Sequence, residues 1–399
     1  MKKRTFKDLA YFSGIPLFPE PLHVGRPNIG NRERLLERFN DLLDRRWLTN
    51  GGPYVQEFER KIELLLGVKH CIAMCNATVA LEITSRALGL EGEVIIPSFT
   101  FVATAHALQW QQITPVFCDI DPLTHNLDPK RIEELITPRT TGIMGVHVWG
   151  RPCAVDKLTE IAHRHNLKLM YDSAHAFGCS WNGQMIGNFG AAEVFSFHAT
   201  KFFNTFEGGA VVTNDDELAA RIQLMTNFGF KTYDTVAYLG TNGKMSEISA
   251  AMGLTGLESF DEFIAANYQN YQTYQQLLSG LAGINMINYD ESEKNNYQYI
   301  VIEIDEEITH IGRDKLNDIL HAENILSRRY FYPGCHQMQP YISDFPNAGL
   351  ELPETEKLTQ KVLQLPTGTS VGEKEIHQIC DLIGFVLARE NQIQAQSET

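Results

Sequence analysis

The chain lacks three features that would each point to a particular class of protein. No apolar run approaches the ~20 residues that a membrane-spanning helix needs, so we expect no membrane segment. Positive charge is scarce: 34 Lys and Arg stand against 49 Asp and Glu, a formal net charge of −15. This balance argues against an electrostatic nucleic-acid surface. The seven cysteines include one close pair, Cys71 and Cys75, with no second pair to complete a zinc site. We therefore expect no metal centre and the reduced thiols of a cytoplasmic protein.

What is present suits a large globular α/β protein. The 399 residues are 43% apolar and 21% charged, enough for two or three domains of ~150 residues. From about residue 55 to 255, short apolar runs alternate with amphipathic segments, which predicts a mainly parallel sheet covered by helices on both faces. The pattern then changes, and one long helix is predicted over residues 257–280. We predict an N-terminal segment (1–54) packing on the small domain, a large domain (55–255) and a smaller C-terminal α+β domain (256–399).

Polar and aromatic groups follow five of the predicted strands. They lie at residues 76–78, 97–101, 147–150, 172–175 and 196–201. In open α/β sheets, ligands bind beyond the carboxyl ends of the strands. The five segments therefore predict one shared pocket.

Lys201 carries the chemistry of this predicted pocket. It ends the run Ser196-Phe197-His198-Ala199-Thr200-Lys201 and is followed by Phe202, Phe203 and the pair Gly208-Gly209. A lysine amine can form a covalent imine, a Schiff base, with a carbonyl cofactor, provided that its surroundings keep part of it unprotonated. The alternative is a solvated surface lysine.

Asp172 and His175 follow the strand that ends near Tyr171. A carboxylate at Asp172 could hold a pyridine nitrogen in its protonated form, which withdraws electrons strongly. His175 could donate a hydrogen bond to a phenolic oxygen of the same ring. The alternatives are a helix cap for Asp172 and a structural role for His175.

The remaining cofactor contacts are predicted at neighbouring strand ends. Asn76, Ala77 and Thr78 stand between a strand and a helix, where free N–H groups favour a phosphate. Ser196 offers another hydroxyl, and Phe101 an aromatic face for stacking. An ordinary helix cap, a strand-end serine and a core phenylalanine are the alternatives. The combination of these groups with Lys201 predicts pyridoxal 5'-phosphate (PLP).

These residues resemble the motifs of a known family, the fold type I sugar aminotransferases of the DegT/DnrJ/StrS group. Its lysine motif corresponds to Ser196–Lys201 with Glu207-Gly208-Gly209, and its Asp-x-Ala-His/Gln motif to Asp172–His175. The phosphate turn has Ala77 where the family usually has glycine. The resemblance implies a PLP-dependent transferase with a large domain and a smaller one. It also implies that Asn242, in Gly240–Glu247, reaches the cofactor phosphate of a neighbouring subunit, and hence a homodimer with shared active sites.

A narrower likeness concerns the substrate. The segments 75–78, 145–153, 227–230 and 332–336 are similar to enzymes of deoxysugar biosynthesis that aminate C4 of dTDP-4-keto-6-deoxyglucose. This implies a nucleotide-linked 4-keto-6-deoxyhexose as acceptor, dTDP-4-amino-4,6-dideoxyglucose as product and L-glutamate as donor. Residues that could contact the sugar nucleotide are Thr49, His198, Lys244, Arg328, Tyr330 and His336. Surface or core roles are the alternatives for each.

Two other functions remain open from the sequence, and Lys201 argues against a third. The pocket could accept another keto sugar or a keto cyclitol, because the lysine chemistry does not select the substrate. A related PLP-dependent dehydratase would carry histidine in place of Lys201, so the lysine argues against it. A non-catalytic PLP-binding sensor is the other function that remains open, and steady release of 2-oxoglutarate would distinguish an enzyme from it.

Overall fold

The structure, a computed structural model, describes residues 3–397, so the outermost two residues of the predicted N-terminal segment and of the C-terminal domain lie outside it. The strands are β1 Leu22–His23, β2 His70–Met74, β3 Glu93–Pro97, β4 Thr114–Cys118, β5 Thr140–Val146, β6 Lys168–Asp172, β7 Ser180–Trp181, β8 Gln184–Met185, β9 Ala192–Ser196, β10 Gly209–Thr213, β11 Phe230–Thr232, β12 Thr235–Val236, β13 Ile284–Met286, β14 Ile300–Ile304, β15 Ile325–Leu326 and β16 Val362–Leu365. The α-helices are α1 Arg32–Arg45, α2 Pro53–Leu66, α3 Ala77–Ala87, α4 Ala103–Gln109, α5 Pro129–Ile132, α6 Val155–Arg164, α7 Asp216–Met225, α8 Glu247–Glu258, α9 Phe260–Leu278, α10 Glu306–Thr309, α11 Arg313–Ala322, α12 Tyr341–Asp344, α13 Pro353–Lys361, α14 Glu373–Leu387 and α15 Glu390–Ser397.

A seven-stranded sheet forms the centre of the large part of the chain. Its order is β2-β10-β9-β6-β5-β3-β4, and β10 runs antiparallel to both of its neighbours while the other pairs are parallel. The predicted α/β class with a mainly parallel sheet is confirmed. Strands such as β3 and β10 are buried along their whole length, which is why they read as continuous apolar runs.

Helices cover both faces of this sheet. Successive side chains of a strand point to opposite faces. On one face, Ile72, Met74, Val94 and Ile96 pack with α3, α4 and α7. On the other, Ala73, Phe195 and Ala210 pack with α2 and α8, and Ile95, Ile143 and Leu169 pack with α6. This two-sided cover fixes the sheet, so the loops at its carboxyl edge rest on a rigid base.

The C-terminal part has its own core. An antiparallel sheet of order β13-β14-β16 packs with α9, α11 and α14. The long helix predicted over 257–280 is confirmed as α9, Phe260–Leu278, which begins three residues later than predicted. Ser259 leaves helical geometry there (φ −111°, ψ 16°) and separates α9 from α8, which ends at Glu258. The reason is packing, since α8 lies on α1 and α2 whereas α9 lies on α14. The domain division stays a prediction, and its boundary at 255/256 lies inside α8.

The N-terminal residues contact both parts of the molecule. A 3₁₀ turn at Ala10–Phe12 contacts α11, and β1 pairs in parallel with β15. Helix α1, by contrast, packs on α8, where Arg38 donates hydrogen bonds to Thr255 and Glu258. The chain between β1 and α1 therefore passes from one part to the other.

Two negative findings apply to residues 3–397. No helix there is long and apolar enough to cross a membrane. No cluster of three or more His, Cys, Asp or Glu side chains in that range is arranged to hold a metal ion. All seven cysteines are free thiols, and all but Cys75 are buried.

Candidate active site

A cavity of about 730 Å³ lies at the carboxyl edge of the central sheet, where the C-terminal part closes over it. The walls include eleven of the predicted site residues: Asn76, Ala77, Thr78, Phe101, Asp172, His175, Ser196, His198, Lys201, Arg328 and Tyr330. Residues of the C-terminal part, such as Tyr299 and Phe331, complete the wall. Five strand ends and one opposing surface thus enclose a single space.

Lys201 sits in the turn that follows β9. Its backbone N–H donates to the His198 carbonyl over 2.9 Å, and its Nζ donates to the Tyr299 hydroxyl over 3.0 Å. Burial lowers the pKa of the Lys201 amine to about 8, against the opposing attraction of Asp172. At pH 7.5 roughly a quarter of such amines are unprotonated, compared with about one in a thousand for an exposed lysine. The amine is therefore prepared to act as a nucleophile and a base.

Asp172 ends β6 and is 5% exposed. The Thr104 hydroxyl donates to Oδ2 over 2.8 Å, and the Ala174 N–H donates to Oδ1 over 3.1 Å. Burial raises the pKa of this carboxyl above its ordinary value, although both hydrogen bonds and Lys201 act the other way. A buried carboxylate without a full counter-charge is suited to receive a cationic ligand group.

His175 lies beside Asp172 and Lys201 as a neutral ring. Its Nδ1 accepts the Trp149 N–H over 3.2 Å, which leaves Nε2 to carry the ring hydrogen. Burial, and then the nearby Lys201, keep the pKa of His175 well below the ordinary value. The ring packs 4.6 Å from that of Tyr299 and lies parallel to Phe331 at 5.7 Å. It can thus donate one hydrogen bond from a fixed position.

The start of α3 forms a cradle for an anion. Asn76 caps the helix, because its side chain accepts the Val79 N–H over 2.8 Å. The first N–H groups of a helix have no acceptor within it, and here they belong to the cavity-lining Ala77 and Thr78. Strand β10 approaches this end so closely that a Cβ on Gly209 would lie 2.7 Å from the Ala77 nitrogen. Glycine is therefore required beside the cradle.

Phe101 and Ser196 also line the cavity. Phe101 is 52% exposed, and its ring lies 6.5 Å from that of Tyr330. The core alternative for Phe101 does not fit this position. Ser196 ends β9 near the cradle wall.

Arg328 and Tyr330 form a cationic and aromatic wall on the opposite side. The Arg328 Nη1 donates to the Tyr330 hydroxyl over 2.7 Å, and its guanidinium lies 5.3 Å from the centre of that ring. His198 is exposed at the mouth, with Nε2 3.6 Å from a Glu207 carboxylate oxygen. Positive charge on this wall can face a pyrophosphate.

His336 requires a correction. The residue is 2% exposed and does not line the cavity. Its ring hydrogen-bonds Ser98 on one side and Glu356 on the other, both at 2.6 Å. Because both ring nitrogens are engaged, His336 joins the loop after β3 to α13, and the packed-core alternative describes it.

Three further predicted residues lie outside the cavity of a single chain. Thr49 and Asn242 are exposed, and Lys244 donates to Asn227 over 2.8 Å while lying 5.0 Å from the centre of the Phe228 ring. None of the three lines the cavity. In a single chain, therefore, the structure does not bring these three residues to the predicted site.

Sequence reasoning assigned no role to two groups that lie next to Lys201 and Asp172. Tyr299 bonds Lys201 from 98 residues away, and nothing in the local sequence marks it. Beneath Asp172, the His147 ring stacks on Tyr171, with Nε2 3.5 Å from the buried Glu193 carboxylate. Burial opposes a charge on His147, but Cys153 and Glu193 outweigh it and raise its pKa to about 9. The sequence placed His147 in the predicted pocket segment 147–150, but that segment does not line the cavity, which is reached at this strand end by Val146 instead.

Comparison with known proteins yields a family and several full-length relatives. A model described as the DegT/DnrJ/EryC1/StrS aminotransferase family matches residues 30–384. A dTDP-4-amino-4,6-dideoxy-D-glucose transaminase from Shigella dysenteriae is 38% identical over 366 residues, covering 91% of this chain and 98% of that protein.

Solved structures agree with this match. DesI, determined in the presence of its TDP-sugar product, has a TM-score of 0.94 and 48% identity, covering 99% of this chain and all of that one. A Streptococcus pneumoniae protein solved in its PLP form has a TM-score of 0.86 at 22% identity, covering 93% of this chain and 99% of the other, a likeness that shows the fold. The predicted fold type I architecture is confirmed.

Proposed function

The chain belongs to the DegT/DnrJ/EryC1/StrS aminotransferase family, and from that premise we propose that it transfers the amino group of L-glutamate to C4 of a nucleotide-linked 4-keto-6-deoxyhexose. The proposed acceptor is dTDP-4-keto-6-deoxyglucose and the product dTDP-4-amino-4,6-dideoxyglucose. The name of the Shigella relative supports this acceptor, and the DesI structure, determined with a TDP-sugar product, supports a TDP-linked sugar. The observation that carries the catalytic part is the pairing of a low-pKa Lys201 with a buried Asp172 in one cavity.

The residues of the cavity fit PLP. When bound, PLP supplies an aldehyde that exchanges amines and a ring that withdraws electrons. The Lys201 amine would attach the aldehyde, and Asp172, short of a counter-charge, would hold the ring nitrogen. Asn76, Ala77, Thr78 and Ser196 would bind the phosphate. The exposed Phe101 ring would stack on the cofactor ring, and the His175 Nε2 hydrogen would bond its phenolic oxygen.

Lys201 also moves the proton in this proposal. The free Lys201 amine would take the proton from the α-carbon of the amino acid and later give it up again, acting as base and then as acid. Asp172 would favour this transfer by keeping the ring nitrogen of PLP protonated, because its carboxylate stabilises the positive charge there. The keto sugar then receives the amino group through the same groups in reverse order, which predicts ping-pong kinetics.

The C-terminal wall would bind the sugar nucleotide. Arg328 offers charge to the pyrophosphate, Tyr330 an aromatic surface, and His198 a hydrogen-bonding group at the mouth. Thr49 and Lys244 would serve this site from a second subunit. These roles are less constrained than those of Lys201 and Asp172, because the wall is partly exposed.

A homodimer with shared active sites completes the proposal. Large apolar side chains are exposed around the residues expected to cross the interface: Trp47, Leu48, Phe228, Phe230, Tyr238 and Leu239. Exposed apolar surface of this kind is typical of an interface, and it surrounds Asn242, the predicted contact to the partner's cofactor phosphate. The seven free thiols support a reducing, cytoplasmic setting.

The test is direct. Purified protein is incubated with PLP, L-glutamate and a panel of nucleotide-linked keto sugars and keto cyclitols, and the product is identified by mass spectrometry and NMR. We expect stoichiometric 2-oxoglutarate and a 4-amino sugar from the dTDP substrate, and none of either from Lys201→Ala. Preferred turnover of another ketone would overturn the substrate assignment. PLP binding with no 2-oxoglutarate from any acceptor would make the protein a sensor.

A further inference from the structure

The Lys201 amine has a hydrogen-bond partner that comes from the other part of the molecule. Its Nζ donates to the Tyr299 hydroxyl over 3.0 Å. The same nitrogen is 5.7 Å from the centre of the Tyr299 ring. It therefore lies beyond the hydroxyl and not over the aromatic face, so the interaction is a hydrogen bond.

Tyr299 is held firmly enough to direct that bond. The residue is 6% exposed, and its ring packs 4.6 Å from His175 and 5.4 Å from Trp149. The Tyr289 hydroxyl donates to the Tyr299 carbonyl over 3.0 Å. Both the ring and the backbone of Tyr299 are thus fixed independently of Lys201.

The preceding residue ties the same segment to the lysine turn. Gln298 Nε2 donates to the His175 carbonyl over 2.6 Å, and Gln298 Oε1 accepts the Phe202 N–H over 3.5 Å. Phe202 directly follows Lys201. Residues 298 and 299 therefore contact both the backbone and the side chain of the lysine segment.

We propose that Tyr299 is a positioning residue that holds the free amine of Lys201 for proton transfer. An amine that donates one N–H to a fixed oxygen can point its lone pair in few directions, whereas a free lysine end samples many rotamers. The inference rests on the proposed function, because it concerns the amine while it is not bound to PLP. Tyr299 acts through Lys201 and needs no contact with substrate.

The effect of removing the Tyr299 hydroxyl on the pKa of Lys201 depends on the charged and titratable groups around the two side chains. Asp172 acts on the amine from β6, and His175 lies near it on the loop after β6. Arg328 and Tyr330, on the loop after β15, act on the Tyr299 phenol. Burial keeps the pKa of Tyr299 well above its ordinary value, so the phenol stays neutral. A neutral oxygen acceptor favours the ammonium form of Lys201 over the amine, so its loss lowers the lysine pKa.

Tyr299→Phe tests this by deleting one oxygen and keeping the ring packing. In PLP-free protein, the pH dependence of Lys201 acetylation by acetic anhydride, read by peptide mass spectrometry, reports the amine without catalysis. We expect the midpoint to fall from about 8 by roughly half to one unit. In the PLP-loaded enzyme we expect kcat to fall roughly two- to tenfold, with KM for the sugar nucleotide unchanged.

If Tyr299 acted only by shifting the pKa of Lys201, Tyr299→Phe would raise kcat, because a lower pKa leaves more of the amine unprotonated. A fall in kcat despite that gain identifies loss of position. Tyr274→Phe is the matched control, since Tyr274 is fully buried in the same core and its hydroxyl bonds the Pro366 carbonyl instead. We expect it to change neither readout.

An unchanged kcat in Tyr299→Phe, or an equal loss in Tyr274→Phe, would overturn the proposal. If the wild-type protein releases no 2-oxoglutarate with any acceptor, the proposed function fails and acetylation alone decides. In that case a shifted midpoint supports the contact between Tyr299 and Lys201, and a wild-type midpoint refutes it.

Discussion

Replacing Asp172 with asparagine should separate the charge of this residue from its shape. The carboxylate accepts one hydrogen bond from the Ala174 N–H and one from the Thr104 hydroxyl. Asparagine keeps an oxygen for Ala174 but presents an NH₂ group to Thr104. The Thr104 hydroxyl lies 3.0 Å from that of Thr100. Thr104 can therefore accept from the new amide and donate to Thr100, so every partner is retained.

The two consequences of Asp172→Asn can be estimated. Two unit charges ~4 Å apart attract by ~4 kcal/mol at an effective dielectric constant of ~20. Loss of that attraction to a protonated ring nitrogen corresponds to roughly three factors of ten. We expect kcat to fall by about 10²- to 10³-fold, because part of the attraction survives in the amide dipole.

Stability of the PLP-free protein should change in the opposite direction. Burial raises the pKa of Asp172, so the folded state disfavours the charged form. A raised pKa in an acid subtracts stability at every pH above the folded-state value. Asp172→Asn lacks this cost, and we expect its PLP-free form to melt at the same or a higher temperature than wild type near neutral pH. Added PLP should then stabilise wild type more than the variant.

The assay combines steady-state kinetics with thermal melting, each with and without PLP. Asp215→Asn is the matched control: Asp215 is an exposed cap of α7, and asparagine caps a helix equally well. It should leave kcat and both melting temperatures unchanged. A wild-type kcat in Asp172→Asn would show that the carboxylate is structural. A clear fall in its PLP-free melting temperature would show that Thr104 does not turn to accept from the new amide and donate to Thr100.

Three further outcomes follow from single contacts. The rate at which PLP loads onto PLP-free protein should rise with pH to a midpoint near 8, because only the neutral Lys201 amine attacks; stopped-flow absorbance giving ~10.4 would contradict burial of the amine. His336→Ala should lower the free energy of unfolding by about 1–3 kcal/mol, because the buried Ser98 hydroxyl loses the imidazole and keeps only the backbone N–H of residue 336; KM for the sugar nucleotide should not change. A raised KM would restore its substrate role. Asn28→Ala should lower stability by about 1–3 kcal/mol, since its amide donates to the buried Phe202 carbonyl over 2.8 Å; unchanged melting would show that this link is dispensable.

The part of the site that sequence could predict is the part built from consecutive residues. Asp172 ends one strand of the central sheet, Asn76 and Lys201 follow two others, and parallel strands end at one edge. Their meeting therefore needs only the order of strands and turns. The same local logic found the strands of the central sheet, whose β-branched and apolar runs are short and well separated.

The part that sequence could not predict depends on how remote segments pack. No residue near 259 breaks helices strongly, yet α8 and α9 separate there because each packs on a different part of the molecule. His23 lines the cavity because β1 pairs with β15, a contact between residues about 300 positions apart that no local pattern encodes. His336 misled because a histidine inside a family-like segment carries no sign of whether it faces a cavity.

Motif residues and residues from remote segments both determine the properties of Lys201. The motif supplies the amine and its opposing carboxylate, but burial is what lowers the pKa of the amine, and burial depends on the C-terminal wall. Tyr299 belongs to that wall and bonds the amine directly. The basicity and direction of the lysine are therefore set largely by residues outside its motif. A chain with an intact motif and an altered segment 296–299 should keep PLP and lose rate, which makes that segment the place to look when relatives with identical motifs differ in turnover.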